Sequence, residues 1–105
     1  MVERADNRLY ARMQKAGLNI QKEAQQRSPV DTGNLRASWV SKTSRRGTLS
    51  TEVGNTANYA EYIEFGTSKM DAQPMLRPAL DQEQRDLIRD IEELVIKVAE
   101  REANR

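Results

Sequence analysis

Ala37-Ser38-Trp39-Val40-Ser41-Lys42-Thr43-Ser44-Arg45-Arg46-Gly47-Thr48-Leu49-Ser50-Thr51-Glu52-Val53 decides between an all-helical chain and a mixed one. Ala37, Trp39 and Ser41 alternate with Arg36, Ser38 and Lys42, and Leu49, Thr51 and Val53 alternate with Ser50 and Glu52. A period of two sends successive side chains to opposite faces of a strand. The segment therefore predicts two short antiparallel strands, the first over 35–42, joined by a hairpin turn at Ser44-Arg45-Arg46-Gly47.

On either side the period lengthens to three or four. Val2, Ala5, Leu9, Met13, Ala16, Ile20 and Ala24 form an amphipathic stripe ending at Ser28-Pro29, because the residue before a proline is driven out of the helical region. Arg4, Arg8, Arg12, Lys15, Lys22 and Glu23 make up the other, solvated face. Toward the C-terminus Leu80, Leu87, Ile91, Leu94 and Val98, widened by Ile88 and Val95, predict a second long helix with Pro78 at its first position. Asp81 and Glu83 early in that helix and Arg101 late in it complement its dipole. Asn58, with Glu61 three residues on, reads as the cap of a short helix through Tyr59, Tyr62, Ile63 and Phe65 that Gly66 ends. The expected class is α+β: long terminal helices packed on a small antiparallel sheet, a short central helix, and one domain over 1–105.

Composition removes most reaction chemistry. The 105 residues include no histidine and no cysteine, which excludes thiolate nucleophiles, disulfides, imidazole bases, Cys/His zinc sites and the Ser-His-Asp triad. Seventeen basic and sixteen acidic residues leave a net charge of +1, so no long-range attraction to a polyanion is implied. Five scattered glycines form no phosphate-binding loop, and no cofactor is expected. With 37% hydrophobic residues and a mean hydropathy of −0.83 the core should be thin, which makes association with other subunits an expectation. The chain shows neither a leader-like nor a membrane-spanning apolar run, so a cytoplasm-like compartment and no membrane contact are expected.

Three motifs carry competing readings. Asp31-Thr32-Gly33 matches the active-site tripeptide of aspartic proteases, whose retroviral members are homodimers of about this length sharing a proton between two carboxylates. Here it follows a helix, where those enzymes need a rigid sheet, and the plainer reading is a turn. Asp31→Asn should then alter stability and abolish no reaction. Glu61 and Glu64 lie three apart on the short helix and could share a face, a common arrangement of solvated carboxylates. Arg45 and Arg46 at the hairpin tip, with Lys42 and Arg36, could set a small basic finger against phosphates, the alternative reading of a nucleic-acid-binding protein.

Tyr59 to Leu80 concentrates three of the five aromatic residues, followed by Met70, Met75 and Leu76 in a stretch punctuated by Pro74. Apolar residues on such a segment either fold back onto their own core or dock onto a partner.

Ser28-Pro29-Val30-Asp31-Thr32-Gly33-Asn34-Leu35-Arg36-Ala37-Ser38-Trp39, then Tyr59-Ala60-Glu61-Tyr62-Ile63-Glu64-Phe65-Gly66-Thr67, then Met70 and Ala72-Gln73-Pro74-Met75-Leu76-Arg77-Pro78-Ala79-Leu80 come in that order between the two helices. This pattern resembles the small neck or tail-component family of long-tailed phages and prophages. Met75 stands where an aromatic residue is common in that family. The resemblance implies an α+β structural protein with no enzymatic activity, placed in the neck or tail of the virion after assembly in the bacterial host cytoplasm. It implies a homo-oligomeric ring, a hexamer by guess, at the head-proximal end of the tail. That ring would help join head to tail, or complete or terminate the tail, between head-completion or connector proteins and tail-tube or tail-terminator proteins. Asp31, Thr32, Gly33, Leu35, Arg36 and Trp39 then form the motif and its structural turn. Tyr59, Tyr62, Glu64, Phe65, Gly66, Thr67, Met70, Pro74, Met75, Leu76, Arg77 and Pro78 are candidate subunit contacts, and Arg45 and Arg46 could face packaged DNA, without sequence specificity, or another ring.

Overall fold

The computed structural model describes residues 2–29 and 34–103. Helix α1 spans Val2–Arg27 and helix α4 spans Leu76–Ala103, as the two apolar stripes require. Between them come a single helical turn α2 (Asn34–Ala37), strands β1 (Trp39–Ser44) and β2 (Ser50–Asn55), and a short helix α3 (Ala60–Phe65). The strands pair antiparallel from Trp39 opposite Asn55 to Ser44 opposite Ser50, leaving residues 45–49 as the connecting loop. Gly47 supplies the positive φ of 70° that this loop uses.

The α+β class holds, with α1 at its centre. The hairpin lies on one side of α1 and α4 packs chiefly on another, so α1 alone of the two long helices rests broadly on the sheet. Gly17 lets the sheet come close: a Cβ there would stand 2.6 Å from Thr51 Cγ2. Thr51 Oγ1 meanwhile donates to the Met13 carbonyl of α1 at 2.9 Å and shares a hydrogen bond with Thr43 Oγ1. Gln21 ties the same faces together, donating to the Trp39 carbonyl at 3.1 Å and accepting from Ser41 Oγ at 2.9 Å.

The core is small and lies toward one end of the helix pair. Ile20 and Ala24 of α1, Leu35, Trp39, Met75 and Ala79 are buried together, with Val53, Tyr59, Ile63 and Leu76 packed against them. Beyond this cluster Leu87, Ile91, Leu94 and Val98 are half-buried, whereas Leu80, Ile88 and Val95 of the same helix are exposed.

Four local expectations change. Leu35 to Ser38 is a helical turn and its end, not strand: Leu35 and Trp39, four apart, both enter the core, and Ser38 Oγ donates to the Asn34 carbonyl at 2.6 Å. Leu49 precedes β2. Asn58 does not cap α3; the turn before it is made by Asn55, whose Oδ1 accepts the Ala57 amide at 2.8 Å, and the capping position is Tyr59, without a side-chain hydrogen bond. Helix α4 starts at Leu76, so Pro78 is third in the helix, still within the first turn, where a missing N–H costs nothing.

Candidate functional site

The aromatic and proline-rich stretch folds as one corner at the end of the helix pair. Glu64 organises it. Its Oε1 accepts the amides of Met75 and Leu76 at 3.0 and 2.8 Å, and its Oε2 accepts that of Arg77 at 3.2 Å. Counting from the residue before Leu76, the first four positions of α4 would leave orphan N–H groups. Three are bonded to Glu64 and the fourth is Pro78, so the helix start is fully satisfied. Negative charge at a helix N-terminus is favourable in its own right. Glu64 is therefore committed to holding α3 against α4. Glu61 is exposed and shares in none of these bonds.

Gly66 makes the corner tight. It has φ 76° and ψ 177°, a conformation essentially reserved for glycine, and a Cβ there would lie 2.7 Å from the Ala72 nitrogen and 2.9 Å from the Met70 oxygen. Thr67 and Met70 then exchange backbone hydrogen bonds, and the Gln73 amide reaches back to the Ile63 carbonyl at 2.7 Å.

This corner sorts the candidate contacts. Met75 is completely buried in the chain's own core, with Tyr59 and Leu76 packed on that core. Tyr62 and Phe65 point outward, 52% and 66% exposed, and Thr67 and Pro74 are exposed beside half-buried Met70. The Arg77 guanidinium stands over the Phe65 ring, 5.6 Å from its centroid. Trp39, Ala60, Met75 and Leu76 floor a shallow pit of about 210 Å³ next to Phe65. The outward set is thus Tyr62, Phe65, Arg77 and the Thr67 to Pro74 loop.

Arg45 is not a free finger. Its guanidinium lies 4.0 Å from the centre of the Tyr10 ring and donates to Asn7 Oδ1 at 3.1 Å, which folds the hairpin tip back on α1. Arg46 remains exposed. Arg36 Nε donates to the Gln25 carbonyl at 3.1 Å. Asp31, Thr32 and Gly33 lie outside the described residues, so neither the turn nor the carboxylate geometry of a protease is visible.

Two arrangements escape a reading by periodicity. Ser28, before Pro29, is a buried polar junction: its hydroxyl donates to the Ala24 carbonyl and accepts Trp39 Nε1–H, both at 2.7 Å, with Met75 Sδ at 3.4 Å. Arg12 belongs to the inner face of α1 and not the solvated one. Its Nη2 meets Glu83 Oε1 at 2.8 Å and its Nε meets Asp90 Oδ2 at 2.7 Å, while Asn19 also donates to Glu83. Burial opposes the Arg12 charge, but the hydrogen bonds to Asp90 and Glu83 outweigh it and raise its pKa. The hydrogen bond from Arg12 holds Asp90 below the usual carboxylate value. No cluster of three or more acidic side chains suited to a metal ion occurs among the described residues, and none of their helices is long and apolar enough to cross a membrane.

A protein-family model described as "Bacteriophage HK97-gp10, putative tail-component" matches residues 1–66, the span from α1 through α3. No curated protein and no solved structure matches the chain at a significant level.

Proposed function

Because the chain belongs to the HK97-gp10-like family of phage tail components, we propose that it is a non-enzymatic building block that assembles as a ring at the head-proximal end of the tail and helps join head to tail. The family match over 1–66 carries this reading. The corner supports it in physical terms: Phe65, held out by Glu64 and Gly66 and left 66% exposed, is a large apolar side chain on a rigid mount. Such a residue suits a contact that must form in one orientation. Tyr62, Phe65 and the Thr67 to Pro74 loop dock onto an adjoining tail protein, whereas Met75 and Glu64 shape that surface from beneath. A basic finger at the hairpin draws less support, since Arg45 is occupied by Tyr10 and Asn7.

Electron microscopy of particles assembled without this protein tests the role. Separate full heads and finished tails are the expected result; normal virions overturn it. Phe65→Ser should impair assembly while leaving the fold intact by circular dichroism, and unimpaired infectivity removes the corner as the contact.

A further inference from the structure

Strand β1 has an unused edge. In an antiparallel pair, successive residues turn their backbone groups alternately toward the partner strand and away from it. The Thr56 amide bonds the Ser38 carbonyl at 3.0 Å, which sets the alternation along the register: Val40, Lys42 and Ser44 exchange hydrogen bonds with β2, while Trp39, Ser41 and Thr43 turn outward. The outward carbonyl of Trp39 accepts from Gln21 Nε2 at 3.1 Å. The outward N–H and C=O groups of Ser41 and Thr43 meet no partner among the described residues.

Gln21 also marks which side of α1 lies along this edge. Gln14, Leu18, Gln21 and Gln25 follow one another at spacings of four, three and four, so they share that side. Leu18, beside the Gly17 that underlies Ser41, is 56% exposed. Gln25 then borders an open hollow of about 560 Å³, lined also by Lys22, Gln26, Arg36 and Ala37. No acidic side chain lines this hollow, and neither Lys22 nor Arg36 makes an ion pair among the described residues.

Unpaired strand amides and carbonyls, an apolar floor and a cationic end together fit a polypeptide in extended form. We propose that β1 accepts an extended acidic segment of another protein as a third strand of the sheet, a contact separate from the Phe65 corner. Paired antiparallel, alternate residues of that segment exchange both backbone hydrogen bonds with Ser41 and with Thr43, and their side chains fall on the α1 side of the sheet. An apolar one opposite Ser41 covers Leu18, and an acidic one two positions further toward Ala37 reaches Arg36 and Lys22. The main-chain bonds supply affinity and these two side chains the choice of partner. A second copy of this chain matches less well: its β2 also has an outer edge, but Thr51, Val53 and Asn55, whose backbone groups turn outward there, bring no acid to Arg36. A polyanion would use the cations and leave Ser41 and Thr43 unpaired.

The blocked peptide Thr-Val-Thr-Val-Thr-Glu-Thr is the probe, added to the full chain and read by amide hydrogen exchange. At ten times its Kd it should slow exchange of the Ser41 and Thr43 amides about tenfold, the factor set by occupancy of the edge, and leave those of Thr51 and Val53 unchanged. Methylating the amide nitrogens of its two valines should weaken binding about tenfold or more. Leu18→Asp should weaken it as well, and Arg36→Glu should reverse its preference in favour of the same peptide with Lys in place of Glu, with circular dichroism confirming the fold of both variants. No binding at millimolar peptide, binding that ignores N-methylation, or unchanged exchange at Ser41 and Thr43 overturns the edge contact. Equal binding of the Glu and Lys peptides to the wild-type chain overturns the acidic partner. Exchange at Ser41 and Thr43 that slows with chain concentration in the absence of peptide gives the edge to a second copy and overturns the proposal.

Discussion

Ser28 is one hydroxyl with two demands on it, and both are met: it gives its proton to Ala24 and takes that of the Trp39 indole. Removing it leaves a buried N–H with no partner, a loss of about 1–3 kcal/mol. Ser28→Ala should therefore lower the unfolding free energy by that amount and bring the denaturant midpoint down with it, which Trp39 fluorescence reports directly; an unchanged midpoint would remove Ser28 from the core's hydrogen bonding. The sequence shows Ser28 only as the residue before a proline, because eleven positions separate it from Trp39 and no periodicity links them. Glu64 is similar. Its place on α3 was legible, but the three amides at the start of α4, those of Met75, Leu76 and Arg77, become visible only once the two helices meet.

At the scale of elements, α1 is held on two sides by different means. Against the hairpin it relies on closeness at Gly17, so Gly17→Ala sets a gain in helix propensity of about 1 kcal/mol against a clash with a Thr51 methyl that two hydrogen bonds keep in place. The clash should win, with a net loss of about 1–2 kcal/mol in chemical unfolding. Against α4 it relies on Arg12. With Arg12 and Glu83 both largely buried, Glu83→Ala leaves the guanidinium to Asp90 alone and its Nη2 without an acceptor, and should cost about 1–3 kcal/mol. Asp90 adds a pH dependence. Its folded pKa lies below the ordinary 3.8, so its contribution is present above that value and is lost as pH falls through the lowered one. Asp90→Asn should flatten the acid limb of the stability profile below about pH 4, and a profile that keeps its slope points to other carboxylates. Both long helices and the hairpin were readable from period alone. The start of β1 was misread because Leu35 and Trp39 satisfy a spacing of two and of four equally well, and the core needs the second.

Over the whole molecule, burial is uneven. The chain extends 62 Å by about 22 Å, and its fully buried residues gather where Ile20 and Ala24 meet Trp39, Met75 and Ala79. Segments with few buried apolar contacts open at lower free energy. Native-state hydrogen exchange of the dilute chain should accordingly protect amides near 16–24 and 76–83 far longer than those of 91–103, and uniform protection along α4 would overturn this uneven distribution of stability.

Met75 and Ala79 give the position of that core a further meaning. The family match stops at residue 66, yet the core it encloses is completed by two side chains that arrive afterwards, and Glu64, two positions inside the limit, grips the first turn of the helix that delivers them. The matched segment is accordingly not a unit of folding by itself. A fragment cut after Gly66 would expose Trp39 and leave Glu64 without its three amide donors, and it should remain unfolded by circular dichroism until residues 67–105 are supplied, attached or as a separate peptide.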